Sequence, residues 1–160
     1  MFRFLLILGL IVVSDQLTKL WAVESFALYE STTLIPGFFN LTLLHNTGAA
    51  FGIMSGLPLF WRQVFFVGIA ATALSVMVMM QRRMGGENPL YAVSFGLISG
   101  GAIGNVIDRL RQGSVIDFLD FHLGSYHWPA FNVADFGITV GVGIFLLLQF
   151  LEGRKEKAGI

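Results

Sequence analysis

Residues 4–23 read FLLILGLIVVSDQLTKLWAV, and the fold turns on how this stretch is read. Twenty mostly apolar residues, at about 1.5 Å of rise each, match the roughly 30 Å hydrocarbon core of a bilayer. Asp15 and Lys19 interrupt the run at i,i+4, with Thr18 beside them. Ionisable groups within a span are costly and usually face a bundle interior. The stretch therefore reads as a membrane helix that needs polar partners on other segments.

Composition agrees. Of 160 residues 55% are apolar and only 12% charged, against about 45–50% and about 25% in soluble domains. Ten basic and ten acidic residues cancel, so nothing points to nucleic acid. There is no cysteine, which excludes disulfides, thiolate metal sites and cysteine nucleophiles. Met1–Val13 resembles a secretory leader, with Arg3 before an apolar run. The run continues through the polar box without an A-x-A cleavage site, so it reads as a retained span.

Three further windows qualify as spans, about 59–80, 89–108 and 134–151, with connections at about 24–58 and 109–133. The expectation is one integral membrane domain over residues 1–160, with four spans. Arg3, Arg82, Arg83, Arg154, Lys155 and Lys157 fall at the amino end, the short 81–88 loop and the carboxyl tail. The positive-inside rule makes these cytoplasmic, so both termini lie inside and the two larger connections face outward. Residues 38–46 and 115–121 are rich in strand formers, preceded by Pro36-Gly37 and Gly113-Ser114, and predict a small sheet on the outer surface.

This orientation brings polar groups from separate segments to one depth. Asp15 and Lys19 lie in the outer half of the first span, Asn105, Asp108 and Arg109 near the outer end of the third, and Asn132 and Asp135 at the start of the fourth. Asn46 and Asp117 sit in outer connections. Such convergence is the mark of a site. Each group also has a plainer reading. Asp15 with Lys19 forms an ordinary helix ion pair, Asn132-x-x-Asp135 has the form of a helix cap, and Asp108-Arg109 can simply end a span. Gly100-Gly101-x-x-Gly104 has small-residue spacing suited to close helix packing. His45, His122 and His127 lack metal-ligand spacing. Trp21, Trp61 and Trp128 read as interface anchors, and Glu24, Glu30 and Asp120 as solvated.

The boxes together resemble those of the lipoprotein signal peptidases, the signal peptidase II family. Asp15-Gln16-Leu17-Thr18-Lys19 resembles D-Q-x-[ST]-K. Asn46-Thr47-Gly48-Ala49-Ala50-Phe51 looks like N-x-G-x-A-F. Residues Gly100 to Arg109 are similar to G-G-x-x-G-N-x-x-D-R, Val115-Ile116-Asp117-Phe118 to V-x-D-[FY], and Phe131-Asn132-Val133-Ala134-Asp135 to F-N-x-A-D. Phe136 departs from the small residue many members carry there. The resemblance implies a mainly helical membrane protein of four transmembrane helices, an outward β-cradle and a mobile periplasmic loop helix. It implies an aspartic endopeptidase of the bacterial inner membrane, sensitive to globomycin. The substrate would be a prolipoprotein carrying a diacylglyceryl cysteine, cleaved just before that cysteine. Asp117 and Asp135 map onto the catalytic pair. Asp15, Lys19, Asn46, Gly48, Asn105, Asp108, Arg109 and Asn132 map onto the supporting polar shell. No cofactor or metal is expected, membrane lipids surround the chain, and it is expected to be monomeric.

Two carboxylates suffice for peptide hydrolysis. Like charges at hydrogen-bonding distance share one proton and titrate as a unit, so one activates water while the other donates to the carbonyl. A proton-coupled transporter is the competing class, since intramembrane carboxylates often relay protons. The inner halves of the spans, however, carry almost no charge to continue such a relay. A structural scaffold, the third class, leaves Asp117 within an apolar strand unexplained.

Overall fold

In a computed structural model of the chain, residues 1–48, 56 and 58–158 are described, the last three of these by their backbone alone. The element order is α1 (Phe2–Ser25), β1 (Ser31–Ile35), β2 (Phe39–Asn46), α2 (Leu59–Met84), α3 (Pro89–Gln112), β3 (Val115–Leu123), β4 (Tyr126–His127) and α4 (Val133–Ala158). All four helices are long and apolar enough to cross a membrane. Each runs beyond the apolar stretch that marks it in sequence. The extensions hold polar residues whose backbone bonds the helix satisfies, such as Arg82 and Arg83, which favour the negative end of α2.

The third helix is the central one, packed against α1, α2 and α4. It starts with Asn88 accepting from the Leu90 N–H at 2.9 Å and with Pro89 in its first turn. It ends at Gly113, whose φ of +76° suits a glycine. Asp108 and Arg109 therefore stand within the helix, one turn before its end. Small residues let the neighbours close in. A Cβ placed on Gly100 would lie 2.8 Å from the Leu8 carbonyl of α1, and one on Gly101 would strike the Ala134 carbonyl of α4. The expected packing role of this glycine run holds, by backbone contact on two sides.

Apolar packing forms two clusters. Phe4, Tyr91, Ala92, Phe95 and Leu148 fill the end of the bundle away from the sheet. Ala22, Leu43, Ile116 and Phe118 join the far end of α1 to the sheet. Large apolar side chains such as Leu5, Leu10, Trp61, Ile69, Leu146 and Phe150 remain exposed, as a lipid-facing surface requires. Among the described residues of α2 only Gln81 is buried.

The sheet is antiparallel in the order β1-β2-β3-β4. β1 and β4 add edges to the two strands read from sequence. Between Leu41↔Leu119 and Leu44↔Asp117 the register shifts, with β2 carrying one extra residue. That bulge re-aims side chains on either side of it. Leu119 and Phe131 exchange backbone hydrogen bonds of 2.9 and 3.1 Å, returning the chain across β3 just before α4 begins. Asn132 is thereby delivered beside Asp117. The loop helix expected from the resemblance is not among the described elements, and residues 49–55 and 57, which include Ala49, Ala50 and Phe51 of the second box, lie outside the described residues.

Candidate active site

Asn132 is fully buried where the sheet meets α4. Its Oδ1 accepts from the Asp135 N–H at 3.0 Å, and its own N–H donates to Asp135 Oδ2 at 3.4 Å, a reciprocal cap of α4. Its Nδ2 donates to Asp117 Oδ1 at 2.8 Å and to the Ile116 carbonyl at 3.1 Å. The cap foreseen in the sequence is therefore present, and the capping residue also binds the second aspartate. One residue thus ties the strand carboxylate to the first turn of the helix that bears the other.

Each aspartate has its own further donor. Asn46 Nδ2 reaches Asp117 Oδ2 at 3.0 Å, while Asn105 Nδ2 reaches Asp135 Oδ1 at 2.8 Å. Asn46 Oδ1 accepts from the Gly48 N–H at 3.1 Å, and Arg109 Nη2 donates to the Gly48 carbonyl at 3.2 Å. The Arg109 guanidinium also lies over the Phe66 ring, 4.2 Å from its centroid. Arg109 thus orders the turn that carries Asn46, the loop-carbonyl role open to its fork of donors.

Asp117 is 3% exposed. Burial, and next the charge of Asp135, push its carboxyl up to about 7 against the opposing hydrogen bonds of Asn46 and Asn132 and the charge of Lys19. An ordinary aspartate is fully ionised at neutral pH; this one keeps its proton to a much higher pH. A carboxyl poised near the working pH between a charged neighbour and neutral amides suits proton transfer.

Beneath this level Asp15, Lys19 and Asp108 form a buried network. Lys19 Nζ lies 2.8 Å from both Asp15 Oδ2 and Asp108 Oδ2, and donates to Asn105 Oδ1 at 3.1 Å. Asp15 Oδ1 accepts from the Ala134 N–H at 2.9 Å, and Asp108 Oδ2 from the Ile116 N–H at 3.2 Å. Gln16 Nε2 donates to Asp108 Oδ1 at 3.0 Å. The helix ion pair read from sequence exists, but it is half of a bridge joining α1, α3, β3 and the first turn of α4. Asp15, Lys19, Asp108 and Asn132 do not line the groove described next. They hold the residues that do.

A groove of about 740 Å³ opens over the aspartates. Asp117, Asp135, Asn46, Asn105, Gly48 and Arg109 contribute its polar surface; Leu44, Val115, Trp128, Phe131, Phe136 and Thr139 contribute to its walls. Phe136, the departure from the family box, is exposed and forms part of this apolar lining. The groove wall formed by Trp128, expected only as an interface anchor, and by Phe131 of the last box depends on a strand-like return over β3 that no local pattern announces. Gln16, present in the first box without a role of its own, is visible in sequence as a polar residue beside Asp15 within a span.

Asp120 corrects an expectation. Read as solvated, it is buried, accepting from Asn40 Nδ2 at 2.9 Å with His127 Nδ1 at 2.8 Å on its other oxygen. Burial raises its carboxyl, but the bonds from His127 and Asn40 outweigh this and hold it below the usual carboxylate value. The strand register, which puts Asn40 opposite Asp120, explains the burial.

A family model described as signal peptidase (SPase) II matches residues 7–151. The chain belongs to the signal peptidase II family. A lipoprotein signal peptidase of Syntrophus aciditrophicus is 41% identical over 155 residues, covering 97% of this chain and 96% of that protein. Another, of Oleidesulfovibrio alaskensis, is 50% identical over 136 residues, covering 85% and 86%. A solved structure of a bacterial membrane enzyme, 33% identical, superposes with a TM-score of 0.84 over 94% of this chain and 88% of that one. A second reaches 0.80 at 34% identity, over 91% of each chain. The family resemblance drawn from the five boxes thus holds over nearly the whole chain, as do the four span-length helices and the small antiparallel sheet it implied. The chain is a multi-pass membrane peptidase of the signal peptidase II family.

Proposed function

We propose that the chain is a lipoprotein signal peptidase of the aspartic type, with Asp117 and Asp135 as its catalytic pair. The observation that carries this is the double grip of Asn132, which binds one carboxylate through its side-chain amide and caps the helix bearing the other. It fixes the two acids at the floor of one groove without neutralising either. Asp117, the acid pushed up to about 7, holds the shared proton and donates it to the scissile carbonyl. Asp135 takes a proton from the attacking water, and the roles reverse as the amine leaves. Asn105 orients Asp135. Asn46, Gly48 and Arg109 shape the substrate-facing rim, and Asp15, Lys19 and Asp108 set the relative placement of the helices beneath.

The substrate is a bacterial prolipoprotein bearing a diacylglyceryl cysteine, cut just before that cysteine. The apolar walls of the groove suit the lipid, and the polar floor suits the peptide bond. The enzyme resides in the inner membrane as a monomer amid lipid. Arg3, Arg82, Arg83, Arg154 and Lys155 belong to the end of the bundle away from the sheet, which supports cytoplasmic termini and a periplasmic active site. The test is purified protein in detergent with diacylglyceryl-modified precursor. Signal-peptide release that globomycin blocks, and that Asp117→Asn and Asp135→Asn each abolish, is the expected result. Normal processing by either variant overturns the assignment.

A further inference from the structure

We propose that Tyr29 binds the substrate in the catalytic groove, presenting its ring from the sheet side. This rests on the reading of the chain as a peptidase that cuts in that groove. Tyr29 lies in the connection between α1 and β1 and lines the groove together with Asp117 and Asp135. Its φ is +67°, and among the described residues no other non-glycine has a positive φ. The Glu30 N–H donates to the Ala27 carbonyl at 2.9 Å, which makes Tyr29 the third residue of a tight turn. A turn with positive φ at that place normally takes glycine or asparagine, because a Cβ there crowds the backbone. A tyrosine is an outlier.

The surroundings hold the turn and not the ring. The Tyr29 N–H donates to the Leu43 carbonyl at 2.8 Å, and the Leu43 N–H to the Glu30 carbonyl at 3.2 Å. Glu30 Oε2 accepts from the Ala27 N–H at 2.7 Å, and Thr42 Oγ1 donates to the Glu30 carbonyl at 2.9 Å. The turn is thus docked on β2 one residue before Leu44, whose partner on β3 is Asp117. The Tyr29 side chain contributes nothing to this arrangement. It is 74% exposed, and neither its ring nor its hydroxyl has a partner among the described residues. Glycine would keep every one of these bonds, since they are made by the backbone, Glu30 and Thr42. Strain that the fold does not need, kept at the edge of a groove that holds two aspartates, points to work done by the side chain. A flat apolar ring with a polar tip suits a substrate that passes from lipid to water. An interface anchor is the plain alternative, but an anchor needs no strained backbone and acts only in a bilayer.

The experiment measures kcat and KM for a diacylglyceryl-modified precursor in detergent, together with the melting temperature of each variant. Tyr29→Asn and Tyr29→Gly both suit the left-handed backbone and both remove the ring. Each should raise KM about tenfold, the effect of losing one aromatic contact with substrate, and leave kcat nearly unchanged. The melting temperature should hold or rise, by up to about 4 °C, as the strain is relieved. Tyr29→Phe, which restores the ring, should restore KM. An unchanged KM in the two variants that lack the ring overturns the proposal, and is what an anchor alone would give. A raised KM with a lowered melting temperature in both overturns it too, because the ring would then be structural. A loss confined to kcat also overturns it, since Tyr29 would then act on the aspartates and not on binding. Failure of the unmodified protein to cleave is a different result: it refutes the peptidase reading itself and this assignment with it.

Discussion

Asn46 offers a quantitative test of the aspartate pair. Its Nδ2 donates to Asp117 Oδ2 at 3.0 Å, a bond that favours the ionised carboxyl and opposes the burial that pushes it up to about 7. A hydrogen bond to a charged group contributes about 1.5–3 kcal/mol, or about one to two pKa units. Asn46 is only half-buried and borders an open groove, so water replaces part of what Asn46→Ala removes. The lower end applies, about one unit. Asn132 stays in place as the second donor. The alkaline limb of kcat/KM, which reports the free enzyme's carboxyls, should therefore move up by about one unit from near 7. The assay is kcat/KM against pH for release of the signal peptide in detergent, at substrate well below KM. The position of the limb is read rather than its height, because Asn46 also anchors the Gly48 turn, whose loss would lower kcat/KM at every pH without shifting the limb. An alkaline limb that stays put, or moves downward, refutes the claim that Asp117 carries the shared proton.

Lys19→Met should be strongly destabilising, by about 3–5 kcal/mol, because Asp15 and Asp108 would remain buried without their common cation; thermal unfolding in detergent measures this. Gly104→Ala places a Cβ 2.5 Å from Asp15 Oδ2 and should cost about 1–3 kcal/mol by overpacking, whereas Gly143→Ala, with open space around it, should leave the melting temperature nearly unchanged. Stability should also report on Asp117. Its folded carboxyl, raised from 3.8 to about 7, binds its proton more tightly than the unfolded one, so ionisation adds no penalty below about 4, a growing one between, and the full penalty above about 7. The difference in melting temperature between the unmodified protein and Asp117→Asn should therefore drift in favour of the variant as pH rises through that window; a difference constant from pH 4 to 8 would contradict the raised carboxyl.

Hydropathy and spacing were enough to read the four spans, because a membrane helix satisfies its own backbone bonds and its length is set by the bilayer. The same local character exposed the cap at Asn132-x-x-Asp135, the pairing of Asp15 with Lys19, and the glycine run of α3, all of which lie within one helical turn or one repeat. The ordered boxes named the family. None of this told how the groups meet. Asp15 bonds to the Ala134 N–H across 119 residues of chain, and Asn46 to Asp117 across 71. Such partners are fixed only when the helices pack and β2 pairs with β3. The bulge in β2, the return of Phe131 over Leu119 and the burial of Asp120 against Asn40 likewise depend on strand register, which the β-rich stretches leave open. Hydropathy and spacing thus mark which residues must leave the lipid, because each buried charge in a span demands a partner. The partners follow from packing, which places Asp117 and Asp135 along the groove and Asp15, Lys19 and Asp108 in the network beneath it.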